Sequence, residues 1–353
     1  GLQTAAIMMG GAPNTTAIQT YNGTSWATSP ATLVTQRHNG SGTMGQPGTT
    51  GLAVSGSADP GPTASTEEYN SSINTFTAAA WASSGALGTA RANLSGTGTE
   101  AAGLAFGGYP SNNETEEYNG STWSEQNNLN TGRGSGTGFG TQTAAVMAGG
   151  HNAQTTTENY NGSSWTASGA LSTGRRYLAG AGTQTAGLAF GGFLASPPYI
   201  VGVSEEYGGS SWTSGGTMSP VSFVCAGVGT QTAALKMGGS TASPPAGTNT
   251  QEYDGSSWTA GGSMLSANKS NQGSGTQTAA LTFGGNTTGT LNMGYDGTSF
   301  STRPSLATGR TYFAGFGTNT AAIACGNNPA AAITEEFTGE TTAAGPASNI
   351  TTS

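Results

Sequence analysis

A short apolar phrase with a polar opening recurs eight times along the chain. Clear copies run from Gln142 to Gly150, reading QTAAVMAGG, and from Gln184 to Gly192, reading QTAGLAFGG. A continuous run of small and apolar residues that ends in a glycine doublet is typical of a short buried strand closed by a turn. The other copies begin at Gln3, Thr50, Glu100, Gln231, Gln277 and Asn319, with the doublet degraded to Ser55-Gly56 in the second copy and to Gly326-Asn327 in the last.

A second phrase follows each copy and holds an aromatic pair, as in TEEYNGSTW from Thr115 to Trp123. The first aromatic residues of successive repeats lie 42 to 49 positions apart, so one unit of about forty-five residues repeats along the chain. The pair is five positions apart in six repeats: Tyr21/Trp26, Tyr118/Trp123, Tyr160/Trp165, Tyr207/Trp212, Tyr253/Trp258 and Tyr295/Phe300. The second repeat widens it to Tyr69/Phe76, and the eighth keeps only Phe337.

Each repeat reads as four short strands. In the fifth repeat the pattern predicts strands over Arg176–Ala181, Thr185–Phe190, Ser204–Tyr207 and Trp212–Thr213, separated by Gly, Asn and Ser. Asn-Gly or Asp-Gly between Tyr and Trp in most repeats predicts a tight hairpin turn with both central residues at positive φ. Helical repeats are excluded, because glycine, with 60 positions, interrupts every segment.

Eight units of four strands form either an open solenoid or a closed ring of sheets. The chain enters at the second strand of a repeat, and residues 341–353 extend past the third strand of the last one. Pairing of these two ends would remove the exposed sheet edges of an open array. We therefore expect one all-β domain over residues 1–353, an eight-bladed ring of four-stranded antiparallel sheets closed by the termini, with seven blades as the alternative.

The order of these elements resembles a known family. An arginine, a small-residue strand, an apolar strand ending in Gly-Gly, and then Tyr and Trp resemble the kelch repeat, the propeller blade also found in the galactose oxidase central domain. The resemblance covers essentially the whole chain and implies a β-propeller. The wording GTQTAALTFGG, from Gly275 to Gly285, also resembles repeats in structural proteins of marine bacteriophages.

Most charged residues occupy fixed places in the repeat. Ten of the 17 acidic residues are glutamates just before the third-strand aromatic, such as Glu116 and Glu158. Because buried charges need partners, we expect the repeated arginines to pair with these glutamates. The arginines concerned are Arg91, Arg133, Arg175 and Arg310, with Arg37 as a displaced counterpart, while Ser222 and Asn268 take the position in two repeats.

Composition and charge exclude several functions. The net charge of −8 argues against a phosphate-neutralising surface, so no nucleic acid partner is expected. The sequence contains no run of 18 apolar residues, so no membrane insertion is expected. Cys225 and Cys325 lie 100 residues apart, and His38 and His151 are equally isolated, so the sequence predicts no catalytic residues, metal or cofactor. A copper enzyme of the galactose oxidase type would need two Tyr and two His ligands and a Tyr-Cys crosslink, which cannot be assigned.

The segment between the second and third strands varies most from repeat to repeat, and in a propeller these connections share one face. Its exposed apolar and stiff residues are of the sort that contact proteins or glycans. The candidate binding residues are Tyr109, Phe193, Leu194, Pro197, Pro198, Tyr199, Ile200, Pro244 and Pro245.

The sequence therefore favours a non-catalytic structural or binding propeller in a virion or extracellular setting. The first hypothesis is a phage virion or appendage protein for host attachment or particle decoration, with virion or cell-surface proteins or host glycans as partners. The alternatives are a carbohydrate-active enzyme of the galactose oxidase type and a cellular kelch-type interaction module. Assembly into a homo-oligomer stays open.

Overall fold

A computed structural model describes residues 6–13, 15–38, 41–44, 50–58, 61–62, 64–70, 74–110, 113–241, 246–285, 289–344 and 351–352. Short antiparallel strands make up nearly all regular structure, alongside one 3₁₀ turn at His151–Ala153. None of the described helices is long and apolar enough to cross a bilayer. The strands fall into two compact units, residues 1–78 with 340–353, and residues 79–339.

The second unit holds six four-stranded sheets, here numbered I to VI in chain order of their first strands. In sheets I to V four consecutive strands pair in sequence order as an antiparallel meander. Sheet VI takes its fourth strand from a segment that precedes sheet I in the chain.

The strands of the first unit before this region are β1 (Ala6–Met9), β2 (Thr15–Tyr21), β3 (Trp26–Arg37), β4 (Ser41–Met44), β5 (Thr50–Val54), β6 (Ser57–Ala58), β7 (Gly61–Pro62), β8 (Thr66–Asn70) and β9 (Asn74–Thr77). In the second unit, sheet I consists of β11 (Ser95–Thr99), β12 (Ala102–Phe106), β13 (Thr115–Tyr118) and β14 (Trp123–Gln126), and sheet II of β15 (Thr137–Thr141), β16 (Ala144–Ala148), β17 (Thr157–Tyr160) and β18 (Trp165–Ser168). Sheet III consists of β19 (Ala179–Thr183), β20 (Ala186–Phe190), β21 (Ser204–Tyr207) and β22 (Trp212–Ser214), and sheet IV of β23 (Ala226–Thr230), β24 (Ala233–Met237), β25 (Thr250–Tyr253) and β26 (Trp258–Ala260). Sheet V consists of β27 (Asn271–Gly275), β28 (Ala280–Gly284), β29 (Asn292–Tyr295) and β30 (Phe300–Thr302), and sheet VI of β31 (Ala314–Gly317), β32 (Ala321–Cys325), β33 (Thr334–Thr338) and β10 (Ala80–Ser84).

The first unit is completed by β34 (Thr341–Ala344) and β35 (Thr351–Thr352). β1, β2 and β3 form a three-stranded sheet, and β4, β5, β8 and β35 form a four-stranded one. β34 pairs with β9, and β6 with β7. The C-terminal strands therefore pair with the N-terminal part of the chain, and a buried cluster of this unit contains Ile7, Ile18, Leu33 and Tyr69.

Each sheet of the second unit has two distinct ends. In sheet I, Ser95 pairs with Phe106, Phe106 with Thr115, and Thr115 with Gln126. The connections after the second and fourth strands therefore leave from one end of the sheet, which we call the loop face. The tight turns after the first and third strands lie at the other end, the turn face.

Side chains of neighbouring sheets interlock through glycine. A Cβ atom at Gly187 of sheet III would overlap the Phe139 ring of sheet II, and one at Gly138 would overlap Phe106 of sheet I. Glycine in the inner strands therefore leaves room for the aromatic ring of the adjacent sheet. Buried clusters fill the space between sheets, as where Phe106 packs with Met147 and Trp165.

Hydrogen bonds between sheets explain two of the repeated residues. The Gln184 amide of sheet III donates to the backbone oxygens of Ala145 and Tyr160 in sheet II, at 3.0 and 2.6 Å. The Trp165 Nε1 atom of sheet II donates to Thr115 Oγ1 of sheet I at 2.9 Å. The repeated Gln and Trp thus each tie one sheet to the sheet before it.

The bond of the repeated Trp also connects sheet I to sheet VI, and a tyrosine hydroxyl forms a second bond there. Trp123 Nε1 donates to Thr334 Oγ1 at 3.1 Å, and the Tyr118 hydroxyl donates to Glu336. Burial, followed by this bond, raises the pKa of Tyr118 to about 12. Each innermost strand contacts the innermost strand of the next sheet, and β11 contacts β31 as well as β15. These repeated four-stranded sheets are consistent with a β-propeller.

The all-β fold of repeated four-stranded antiparallel sheets is confirmed, with seven such sheets among the described residues. Closure of one eight-membered ring by the two chain ends is not seen in the described part of the chain. The reason is that β10 already completes sheet VI by pairing with β33, which leaves the C-terminal strands to pair with β8 and β9. A single domain over residues 1–353 stays a prediction.

The expected arginine–glutamate pairs are confirmed, and both partners are buried in each. In sheet II Arg133 contacts Glu158 at 2.5 Å, and in sheet III Arg175 contacts Glu205 at 2.8 Å. The remaining pairs are Arg37–Glu67, Arg91–Glu116 and Arg310–Glu335.

Two local predictions were wrong. The first strand of sheet III begins at Ala179 rather than Arg176, because Tyr177 adopts a φ of 56° that ends an extended backbone. The Asn-Gly turns have positive φ only at the glycine, such as Gly120 at 90°. Asn119 instead accepts hydrogen bonds on its side-chain oxygen from the backbone N–H groups of Ser121 and Thr122, which forms a four-residue Asx turn.

Candidate ligand-binding face

The sequence-predicted site residues lie in connections on the loop face. Tyr109 follows β12 of sheet I, and the other described members lie between β20 and β21 of sheet III: Phe193, Leu194, Pro197, Pro198, Tyr199 and Ile200. Pro244 and Pro245 lie outside the described residues. The structure therefore groups six of these residues in one loop and places Tyr109 on a different sheet, with sheet II between them.

The loop after β20 is a compact turn with an aromatic pair. Phe193 and Tyr199 stack with ring centroids 5.6 Å apart, and the Leu194 N–H donates to the Tyr199 carbonyl oxygen at 2.6 Å. The Arg176 guanidinium lies 5.1 Å from the centre of the Phe193 ring. Pro197, Pro198 and Tyr199 are exposed, whereas Phe193 is half-buried and supports them.

Tyr109 is the most exposed aromatic residue among those described in the six-sheet unit, at 66%. Its backbone is fixed by two hydrogen bonds with Ala92, of 2.7 and 2.9 Å. The Tyr109 side chain is therefore presented from a rigid segment rather than from a free loop.

Six residues with left-handed backbone, one from each sheet, lie on the loop face around the mouth of the channel between the innermost strands. Each lies two positions after the repeated arginine position. Their backbone N–H groups donate to the carbonyl oxygen of the corresponding residue in the preceding sheet, as from Ser135 to Asn93 at 2.8 Å and from Tyr177 to Ser135 at 2.7 Å. A φ of 48° at Val224 is strained for a β-branched residue, and such strain is frequent at functional sites. The six are Asn93, Ser135, Tyr177, Val224, Ser270 and Tyr312.

The channel between the innermost strands offers little chemistry. One cavity there has a volume of about 140 Å³ and is lined mainly by glycine residues, such as Gly96, Gly138 and Gly180. The larger space lies outside the channel, in a groove of about 500 Å³ between sheets I and II, which we call the I–II groove.

The I–II groove is lined by Tyr109, Tyr177 and the 3₁₀ turn that begins at His151. The His151 N–H donates to the Gly134 carbonyl oxygen at 2.8 Å, and the Arg175 N–H donates to the Gln154 carbonyl oxygen at 3.2 Å. These bonds fix both ends of the turn. Sequence reasoning missed His151, Asn152, Gln154 and Tyr177, because no repeated pattern marks them.

Two sheets replace the arginine–glutamate pair with other groups, and sheet V has Asn268 and Met293 at the two positions. Sheet IV has Ser222 and Gln251 at the two positions, and Lys236 is fully buried there with its Nζ atom donating to the Asn249 side chain. Burial lowers the pKa of Lys236 and raises the pKa of the neighbouring Cys225 thiol. Both Lys236 and Cys225 are buried, so they belong to the core at sheet IV.

Three carboxylates of sheet I also meet, with oxygens of Glu114, Glu116 and Glu125 within 4.8 Å of one another. Glu116 is already held by Arg91 at 2.6 Å and by the Gly88 N–H at 2.6 Å. Burial, and then the charges of Glu116 and Glu114, raise the pKa of Glu125. The arginine compensates the buried charge of Glu116, and the cluster was not predicted from the sequence.

No protein-family model matches the chain, and no curated protein sequence is significantly similar to it. The repeated four-stranded sheets are thus supported by the structure and not by a family match, and no match names the kelch repeat.

Proposed function

We propose that the six-sheet unit is a six-bladed, kelch-like β-propeller and that the chain is a non-catalytic binding protein of a virion or another extracellular surface. The bonds from Trp123 to Thr334 and from Tyr118 to Glu336 support the ring, because they repeat between sheets I and VI the contacts that join consecutive sheets. The strand β10 also supports the ring, because it pairs with β33 and completes the last blade.

One observation carries the proposal of binding. Among the described residues of the six-sheet unit, every large apolar side chain that is at least a third exposed lies in a connection on the loop face: Tyr109 at 66%, Leu265 at 57%, Tyr199 at 46% and Ile333 at 36%. Exposed apolar residues concentrated on one side of a rigid body are typical of interaction sites.

The turn face provides the contrast. The turns between the third and fourth strands of sheets I to V consist of Gly, Asn, Asp, Ser and Thr, as in Asn161 to Ser164, whose polar groups are satisfied within the turn. The two ends of the sheets therefore differ in chemistry although they belong to the same strands. This difference favours recognition through the loop face. The resemblance of the repeated sequence to repeats in phage structural proteins favours a virion as the setting.

A comparison of two multiple variants tests this function. Labelled protein is applied to immobilised glycans and to intact bacterial cells. The loop-face variant carries Tyr109→Ala, Tyr199→Ala and Leu265→Ser, and the turn-face control carries Thr143→Ala, Ser163→Ala and Thr185→Ala, all at exposed positions. We expect binding to be lost in the first and kept in the second; binding unchanged in the first, or no binding by the unmodified protein, would contradict the proposal.

A further inference from the structure

The I–II groove has the size and shape of a small-molecule site. Its volume of about 500 Å³ lies within the range of roughly 300–1,000 Å³ that is usual for ligand pockets. We propose that this groove binds an uncharged saccharide. The proposal rests on the proposed function, namely that the loop face binds ligands, and adds the location and the chemical class of one of them.

The first argument is charge. Among the described lining residues the one arginine, Arg133, is 1% exposed and forms an ion pair with Glu158 at 2.5 Å. Its guanidinium also donates to the backbone oxygens of Gly149, Thr131 and Met147, at 3.0, 2.7 and 3.0 Å. A phosphate or carboxylate ligand would have to compete with these bonds, and His151 is the one other described lining residue that can carry a positive charge, so the described lining favours a neutral ligand.

The second argument is the aromatic surface. Tyr109 is two-thirds exposed at one side of the groove, and Tyr177 lines another side. Tyr177 is supported by Tyr312, with ring centroids 5.9 Å apart, and by the Arg176 guanidinium at 5.5 Å. Rigid rings with an apolar face and a polar edge suit the mixed C–H and hydroxyl surface of a sugar ring.

The third argument is an unused acceptor. The Gln154 Oε1 atom is buried and accepts no hydrogen bond among the described residues. A buried acceptor without a donor costs about 1–3 kcal/mol, and a ligand hydroxyl would remove that cost. Asn152, exposed beside it with a φ of 62°, adds an amide that both donates and accepts hydrogen bonds. Amide side chains beside aromatic rings, without free charge, are suited to hydroxyl groups.

The test measures binding of neutral oligosaccharides and of a uronic-acid oligosaccharide by saturation-transfer NMR and calorimetry. The three variants are Tyr109→Ala and Gln154→Leu, which remove groove groups, and Tyr199→Ala elsewhere on the loop face; Thr185→Ala, at an exposed turn-face position of sheet III, is the control. Because Tyr109 is exposed and Gln154 Oε1 has no described partner, both groove variants should fold. We expect neutral sugars alone to bind, about tenfold more weakly in each groove variant and with unchanged affinity in the Thr185→Ala control.

Other results separate this inference from the proposed function. Binding that is lost in Tyr199→Ala but kept in both groove variants would overturn the I–II groove while leaving the loop face as the binding surface. Preferential binding of the charged sugar, or of peptides instead of sugars, would also overturn it. Saccharide binding that none of the three variants changes would overturn both proposals.

Discussion

Buried arginines in this chain are held by more than their glutamates. The Arg175 guanidinium contacts Glu205 at 2.8 Å and also donates to the carbonyl oxygens of Gly191 and Val203, at 2.9 and 2.6 Å. Each such arginine therefore joins the loop-face ends of two strands. Where the arginine is absent, the glutamate is absent too, as with Ser222 and Gln251 in sheet IV. The two positions thus act as one unit.

This coupling predicts the outcome of a double-mutant cycle. Arg175→Ser leaves Glu205 buried without a cation and should destabilise the fold by about 3–5 kcal/mol. Adding Glu205→Gln reproduces the pair found in sheet IV and should recover part of that loss, with a coupling of about 0.5–3 kcal/mol. Denaturant unfolding of the single and double variants gives both values.

The control for this cycle is Arg303→Ala, at an exposed arginine without an ion pair among the described residues, where a change within about 0.5 kcal/mol is expected. A double variant no more stable than Arg175→Ser would contradict the coupling.

Some of these residues could be predicted from the sequence and others could not. The arginine–glutamate pairs were predictable because both residues recur at fixed repeat positions and a buried charge requires a partner. The left-handed residues at the channel mouth were not, because Asn93, Tyr177 and Val224 share no side-chain property. Their common feature is a backbone angle fixed by hydrogen bonds between sheets.

At the scale of the strand and hairpin, glycine has two separate uses. In the doublet after the second strand, Gly149 and Gly150 have φ values of 67° and 132°, which side-chain-bearing residues rarely adopt. In the inner strands, glycines such as Gly187 instead have ordinary backbone and leave space for a ring of the next sheet. The sequence indicated four strands in each sheet, although the first strand of sheet III begins later than predicted, and only the packing of neighbouring sheets distinguishes the second use of glycine.

A matched pair of glycine variants tests this packing. Gly187→Ala should destabilise the protein by about 1–3 kcal/mol, because the new methyl group would overlap the Phe139 ring. Gly208→Ala, in the turn after β21 of the same sheet, where a Cβ atom would meet only the Ser211 carbonyl oxygen at 4.0 Å, should be neutral or stabilise by up to about 1 kcal/mol. Thermal unfolding distinguishes the two.

A smaller ring opposite Gly187 provides the control. Combining Gly187→Ala with Phe139→Leu should recover part of the stability, because the overlap is removed. Equal effects of the two glycine variants would show that the inner-strand glycine is not required by its neighbour.

At the scale of the molecule, the number of sheets in the ring is the point that the sequence did not determine. Each repeat encodes contacts only with adjacent repeats, so the same phrase is compatible with several ring sizes. The decisive element is β10, a short strand outside the repeated phrases, which pairs with β33 and completes sheet VI. In the proposed ring, closure by β10 would align the variable connections of all six sheets on the loop face.

Distances between spin labels on the outer strands test this closure most directly. Ser124, Thr213, Thr259 and Ser301 are exposed, occupy equivalent positions in sheets I, III, IV and V, and can each be replaced by cysteine. The native Cys225 and Cys325 are buried, and burial raises the pKa of both thiols, so they should not be labelled. Pairs of labels are measured by double electron–electron resonance.

In a closed ring of six sheets, the distance from 124 to 301 equals that from 124 to 213, and the distance from 124 to 259 is the longest. If the distances instead increase steadily along the chain, so that 124 to 301 is the longest, the ring of six is contradicted.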